Sequence, residues 1–176
     1  MGFNPLSALD ASILSHETVL RIKAGDDEDS EWRHRQALEL KIANFGTNSV
    51  NTAISYNGLG EALLRKDKLA EAEEAFMKAI VIREAKGPVF DAAVSRENLA
   101  CVYEAQGRWN QARELRTRSR ENMVCSNYKC PGTTFFMDEL RKCSSCRVTY
   151  YCSVKCQKAD WKGRHKRFCT PTDLEA

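Results

Sequence analysis

Seven of the eight cysteines and one of the three histidines in this 176-residue chain lie between Cys125 and Cys169. Their spacing is regular: Cys125-x4-Cys130, Cys143-x2-Cys146, Cys152-x3-Cys156 and His165-x3-Cys169. A structural Zn²⁺ site takes four soft ligands in a closed tetrahedron, and ligands two to four residues apart can wrap an ion from one turn of chain. Four such pairs imply two zinc ions. A secreted disulfide scaffold is disfavoured, because Cys-x2-Cys partners are too close for an ordinary bridge network and no apolar leader follows Met1. Seven cysteines and a histidine in four pairs also suit two zinc sites better than one iron–sulfur cluster.

The stretch CSSCRVTYYCSVKCQKADWKGRHKRFC, Cys143 to Cys169, resembles the MYND-type zinc finger. The likeness lies in the aromatic before the fifth ligand, the CS-x2-CQ run, the DW pair and the closing HK-x2-C. It implies a cross-braced module with one zinc site at Cys125, Cys130, Cys152 and Cys156 and the other at Cys143, Cys146, His165 and Cys169. Two spacings depart from the common pattern: four residues separate Cys125 from Cys130 rather than two, and three separate Trp161 from His165 rather than two. The family binds short proline-containing peptides, and the resemblance implies contacts at Ser144, Gln157 and Trp161. Trp161 is also placed to cover the second zinc site. Tyr150 and Tyr151 alternate across a short strand, while Phe135, Phe136, Met137 and Leu140 divide between core and contact surface.

The chain from Trp32 to Asn122 is helical in pattern and contains a repeat. Leu59 aligns with Leu99, Gly60 with Ala100, Leu63 with Tyr103, Leu69 with Trp109 and Ala72 with Ala112, each pair forty residues apart. Small residues at the second and last of these positions let two helices approach closely, and polar turns at Lys66–Lys68 and Gly107–Arg108 reverse the chain. Phe76, Ala79 and Ile80 extend the inner face. These residues resemble tetratricopeptide repeats (TPR) of the long variety found in kinesin light chains, with extended helices and a wide connection at Ala85–Phe90. Arg35 to Gly46 reads as the second helix of a preceding unit. Two and a half units need caps, and the helix before Asp26 and the zinc module are the candidates to supply them. The last helix, Asn110 to about Asn122, runs almost directly into Cys125.

The N-terminal stretch is helical after Pro5, with Leu6, Leu9, Ile13 and Leu20 sharing a docking face. The run Gly25 to Glu31 is an acidic linker or a first helical turn. His16 and His34 have no ligand partners at useful spacing and read as surface or capping residues. Cys101 reads as a small buried hydrophobe. Nothing pairs a nucleophile with a base and an orienting group, and no glycine-rich phosphate loop occurs, so an enzyme is not expected.

The formal charge of +3 falls to about zero once seven thiolates and two Zn²⁺ ions are counted. The basic run 141–167 nevertheless holds Arg141, Lys142, Arg147, Lys155, Lys158, Lys162, Arg164, Lys166 and Arg167, against the single acid Asp160.

The expected fold is mostly α: a TPR-like helical-hairpin array followed by a small cross-braced two-zinc finger with a short β-hairpin and a C-terminal helix. The expected segments are an N-terminal helix and acidic linker at 1–31, repeats at 32–123, the finger at 124–170 and a tail at 171–176. The expected function is a non-enzymatic adaptor with two Zn²⁺ ions, whose finger takes short peptides and whose repeats offer Asn57, Glu61, Arg96 and Asn98 as a second groove. Weak nucleic-acid association through the basic run is the alternative. No membrane partner is expected, and the location is intracellular, in nucleus or cytoplasm.

Overall fold

The structure is a computed structural model that describes residues 5–23 and 28–171. The chain divides into two compact units, Met1–Pro88 and Val89–Ala176. The first holds α1 (Pro5–Lys23), α2 (Ser30–Phe45), α3 (Val50–Arg65) and α4 (Leu69–Lys86). Within it α1 packs on α2, α2 on α3 and α3 on α4. Arg35–Gly46 is therefore not half a repeat under a separate cap, because α1 is its hairpin partner.

The docking face of α1 differs from expectation. Ala11 and Thr18 are buried, whereas Leu9, Ile13 and Leu20 are 57 %, 54 % and 51 % exposed; Leu6 lies outside the residues whose side chains are described. Small residues on the inner side let helices approach closely, and the Thr18 hydroxyl is satisfied by the Leu14 carbonyl at 2.7 Å. His34 also departs from its expected surface role. It is buried against Gly58, where a Cβ would stand 2.7 Å from the imidazole ring. Gly60 makes room for Phe76 in the same way, since a Cβ there would stand 2.7 Å from the ring, which is why α3 and α4 sit close together. Phe76, Ala79 and Ile80 are buried as their spacing predicts.

The forty-residue period extends to backbone geometry. Asp67 and Gly107 occupy the same turn position with φ of 58° and 74°. The following N–H reaches back to the helix in both turns, from Lys68 to the Leu63 carbonyl at 2.9 Å and from Arg108 to the Tyr103 carbonyl at 2.8 Å. That six-residue closure is the Schellman pattern. The wide connection expected at Ala85–Phe90 is absent, because helix continues to Lys86 and resumes at Val89. The long period goes into helix length, not loop.

The second unit contains α5 (Val89–Ala105), α6 (Trp109–Thr117), a 3₁₀ turn at Met137–Glu139, β1 (Arg141–Lys142), β2 (Tyr150–Tyr151), α7 (Val154–Gly163) and a 3₁₀ turn at His165–Arg167. α6 stops at Thr117, short of the expected Asn122. Beyond it the chain must open out, because Met123 pairs with Phe135 through two backbone hydrogen bonds of 3.0 and 2.8 Å and the Arg120 carbonyl accepts from Met137 N–H at 2.7 Å. β1 and β2 form an antiparallel pair with Arg141 opposite Tyr151 and Lys142 opposite Tyr150. Met123, Leu140 and Tyr150 make a small core, with Phe135, Met137 and Cys152 packed on it. Phe136 points outward, 56 % exposed.

Candidate metal centre

Each ligand pair comes from a different local device. The first comes from a turn in which Cys130 N–H donates to the Asn127 carbonyl at 2.8 Å and Lys129 N–H to Asn127 Oδ1 at 3.3 Å. This turn absorbs the long Cys125–Cys130 spacing. Gly132 then donates its N–H to Cys130 Sγ at 3.4 Å, in a position where a Cβ would strike the Phe135 ring at 2.6 Å. Cys152 directly follows β2, and Cys156 lies in the first turn of α7, which is capped by Ser153 accepting from Cys156 N–H at 3.2 Å. Cys143 and Cys146 flank a knuckle whose positive φ falls at Arg147 (56°). His165 and Cys169 follow α7.

The eight ligands gather into two groups, Cys125/Cys130/Cys152/Cys156 and Cys143/Cys146/His165/Cys169, with the ligand atoms of each group within 4.8 Å of one another. In a tetrahedron with Zn–S of 2.3 Å the sulfurs stand about 3.8 Å apart. Cys130 and Cys152 are 3.6 Å apart, Cys152 and Cys156 3.6 Å, and Cys143 and Cys169 3.8 Å. Cys146 Sγ lies 3.5 Å from His165 Nε2, which makes Nε2 the ligand atom. A disulfide would need about 2.05 Å. The donor set and its spacing thus fit two zinc-coordination sites in a cross-braced pattern, since the four pairs alternate along the chain, the first and third in one group and the second and fourth in the other.

The surroundings differ between thiols. Burial pushes the Cys169 thiol up to about 12 and raises that of Cys125. Burial also opposes ionisation of Cys156, yet hydrogen bonds from the side chains of Asn127 and Ser153 outweigh it and bring that thiol to about 7. One Zn²⁺ in each site would supply the positive charge that lets its four or three thiols ionise together. Thr149, fully buried, sits with its hydroxyl 3.7 Å from Cys146 Sγ, where it can donate to the sulfur and brace the second site. Trp161 meets the His165 ring edge-on, with centroids 5.9 Å apart, and so covers that site as expected while remaining 40 % exposed. Gln157 lies one turn earlier on α7, half-buried, and Ser144 is exposed at the knuckle.

Buried charges unforeseen in the sequence lie beside the metal ligands. Arg116, on α6, reaches Glu97 at 2.7 Å and Glu104 at 2.6 Å, and donates to the Val148 carbonyl at 3.3 Å. The other oxygen of Glu104 meets Arg164, which also holds Asp160 at 3.1 Å. Asp160 in turn accepts from Tyr151 OH at 2.8 Å. Burial opposes the Glu104 charge, but the two guanidiniums prevail and hold its carboxyl at about 2. Arg164 and Asp160 are thereby withdrawn from the expected basic surface, leaving the other eight cations of the run. The signal was in the repeat: Glu97, Glu104 and Arg116 stand forty residues after Asn57, Leu64 and Phe76. Cys101 is buried at the edge of this cluster, and burial pushes its thiol up to about 12, as expected of a structural cysteine.

Of the four residues suggested for a repeat groove, Asn57 is buried and donates to Glu61 at 2.7 Å. Arg96 is buried and donates to the Asn122 carbonyl at 3.2 Å. Asn98 is half-buried on α5.

Comparison with known proteins agrees with this reading. Residues 122–169 match the MYND finger family, and 18–85 and 92–115 match tetratricopeptide repeats. The chain thus contains a MYND-type zinc finger preceded by TPR-type repeats: a mostly helical array followed by a small cross-braced zinc-binding module with a short antiparallel hairpin and a trailing helix. It is similar to the F-box protein At5g50450 of Arabidopsis thaliana, 43 % identical over 51 residues, which is 29 % of this chain and 15 % of the relative. It is also similar to the MYND-type zinc finger protein samB of Emericella nidulans, 47 % identical over 45 residues, or 26 % of this chain and 8 % of that protein. The chain therefore spans only a small part of these relatives. Among solved structures, that of BtubC (BKLC) from P. vanneervenii superposes with a TM-score of 0.59 at 26 % identity, over 65 % of this chain and 48 % of that one. No helix among the described residues is long and apolar enough to cross a membrane.

Proposed function

We propose that this protein is a non-enzymatic adaptor that binds two zinc ions and uses its finger to take short, proline-containing peptides. The observation that carries the peptide reading is Trp161. It is a large aromatic, 40 % exposed, on a helix tethered at one end by Cys156 and at the other by His165. Gln157 lies one turn before it, and exposed Ser144 sits on the knuckle. A tryptophan face suits the compact apolar ring of proline, and a glutamine side chain can both donate to and accept from a peptide backbone. The repeat helices are proposed as a second protein-binding surface through the half-buried Glu61 and Asn98; Asn57 and Arg96 are buried and are withdrawn from it.

A displayed library of proline-containing peptides is the direct test. Binding should saturate, and Trp161→Ala should weaken it by about tenfold or more with the zinc content unchanged. Affinity that falls steeply with salt and ignores peptide sequence would instead select nucleic acid, bound by the eight remaining cations of the basic run.

A further inference from the structure

The buried ionic set of the second unit has members on both sides of the assumed repeat–finger boundary. Glu97 and Glu104 come from α5 and Arg116 from α6, whereas Asp160 belongs to α7, Arg164 follows it and Tyr151 lies on β2. Side-chain exposure is 0 % for Glu104, 1 % for Arg116 and 0 % for Asp160. A helical hairpin of this register does not need such charges, because the preceding hairpin carries Leu64 and the fully buried Phe76 at the corresponding places. Taken alone, α5 and α6 would leave one oxygen of the fully buried Glu104 side chain without Arg164, the guanidinium that meets it. A buried carboxylate stripped of such a partner is strongly unfavourable. The second guanidinium, Arg164, comes from the finger, directly before the ligand His165. Arg116 likewise needs the Val148 carbonyl, two residues beyond the ligand Cys146. Arg96 also donates to the carbonyl of Asn122, the first of the residues that match the finger family.

We propose that α5 and α6 fold as part of the finger, and that zinc binding therefore determines whether this hairpin is formed. The coupling runs from the second metal site through Arg164 to Glu104 and Arg116. Residues 89–171 then make one metal-dependent folding unit, while α1–α4 fold without metal. This inference rests on the zinc reading above.

Hydrogen exchange read by mass spectrometry on the full chain, before and after removal of metal with a strong chelator under reducing conditions, tests it. Amides of 143–169 report on the zinc reading, those of α5–α6 on the coupling, and those of α3–α4 serve as an internal control. The expected result is a loss of protection of about a hundredfold or more in both 143–169 and α5–α6, with α3–α4 unchanged. If 143–169 loses protection and α5–α6 keeps its own, the coupling is overturned while zinc binding stands. If 143–169 does not respond, the zinc reading falls and the coupling with it. A second chain, Glu97→Asn/Glu104→Leu/Arg116→Phe, transplants the first hairpin's residues. Its α5–α6 amides should stay protected after chelation; collapse as in the parent chain would show that the ionic set does not carry the coupling.

Discussion

The two hairpins α3–α4 and α5–α6 share a forty-residue register, a small-residue crossing and the same left-handed turn, yet their cores are built from opposite materials. Where the first places Leu64 and Phe76, the second places Glu104 and Arg116. The apolar version needs no ionic partner, since Phe76 closes against Gly60 with no exposure. The ionic version is complete only when the finger brings Arg164. A repeat sequence thus keeps its geometry while exchanging self-sufficiency for attachment to a neighbour.

The largest expected effect comes from a metal ligand. Cys146→Ser should remove the finger's fold, because apparent binding energies of structural zinc are about 10–16 kcal/mol. Circular dichroism and zinc content should show loss of metal together with α5–α6 helicity, and retention of that helicity would break the contrast between hairpins. Next are the matched core truncations. Phe76→Ala leaves a cavity costing about 3–5 kcal/mol, and Arg116→Ala strands two buried carboxylates for about 3–5 kcal/mol. Urea unfolding should show similar magnitudes, but only the second should weaken zinc retention.

Acid sharpens the contrast further. The Glu104 carboxyl is held at about 2 against an ordinary 4.5, so its contribution is fully present above pH ~4.5 and lost as pH falls towards ~2, about 3 kcal/mol in all. Protonation of the zinc thiolates acts in the same direction. Exchange measured through this window should show α5–α6 opening before α3–α4, and by less in the transplant chain. The smallest effect concerns the turns. Asp67→Gly should relieve a left-handed aspartate and stabilise the first hairpin by under about 1 kcal/mol, whereas Gly107→Asp should cost about as much at the second; thermal melts would register both.

Most of the metal centre was legible because ligand spacing is set by the reach of a few residues around one ion. The same holds for the helical hairpins, whose small residues mark close crossings. The α1 face was misread because helix-spaced leucines indicate a face without saying which way it turns, and Ala11 and Thr18 allowed the closer contact. His34 was misread because its partner is a glycine, Gly58, which leaves no trace in hydrophobic periodicity. The end of α6 depended on the distant Met123–Phe135 pairing. The ionic set is hidden in the sequence although its positions follow the repeat, because Arg164 lies in a run of cations where one buried member looks like its solvated neighbours.

Zinc occupancy of the intact chain is the most direct test of the central claim that paired cysteines build two metal sites on which the second unit depends. Native mass spectrometry of the protein purified without added chelator should find two zinc ions per chain with no disulfides. A folded chain carrying one ion or none, or one oxidised to disulfides, would contradict it.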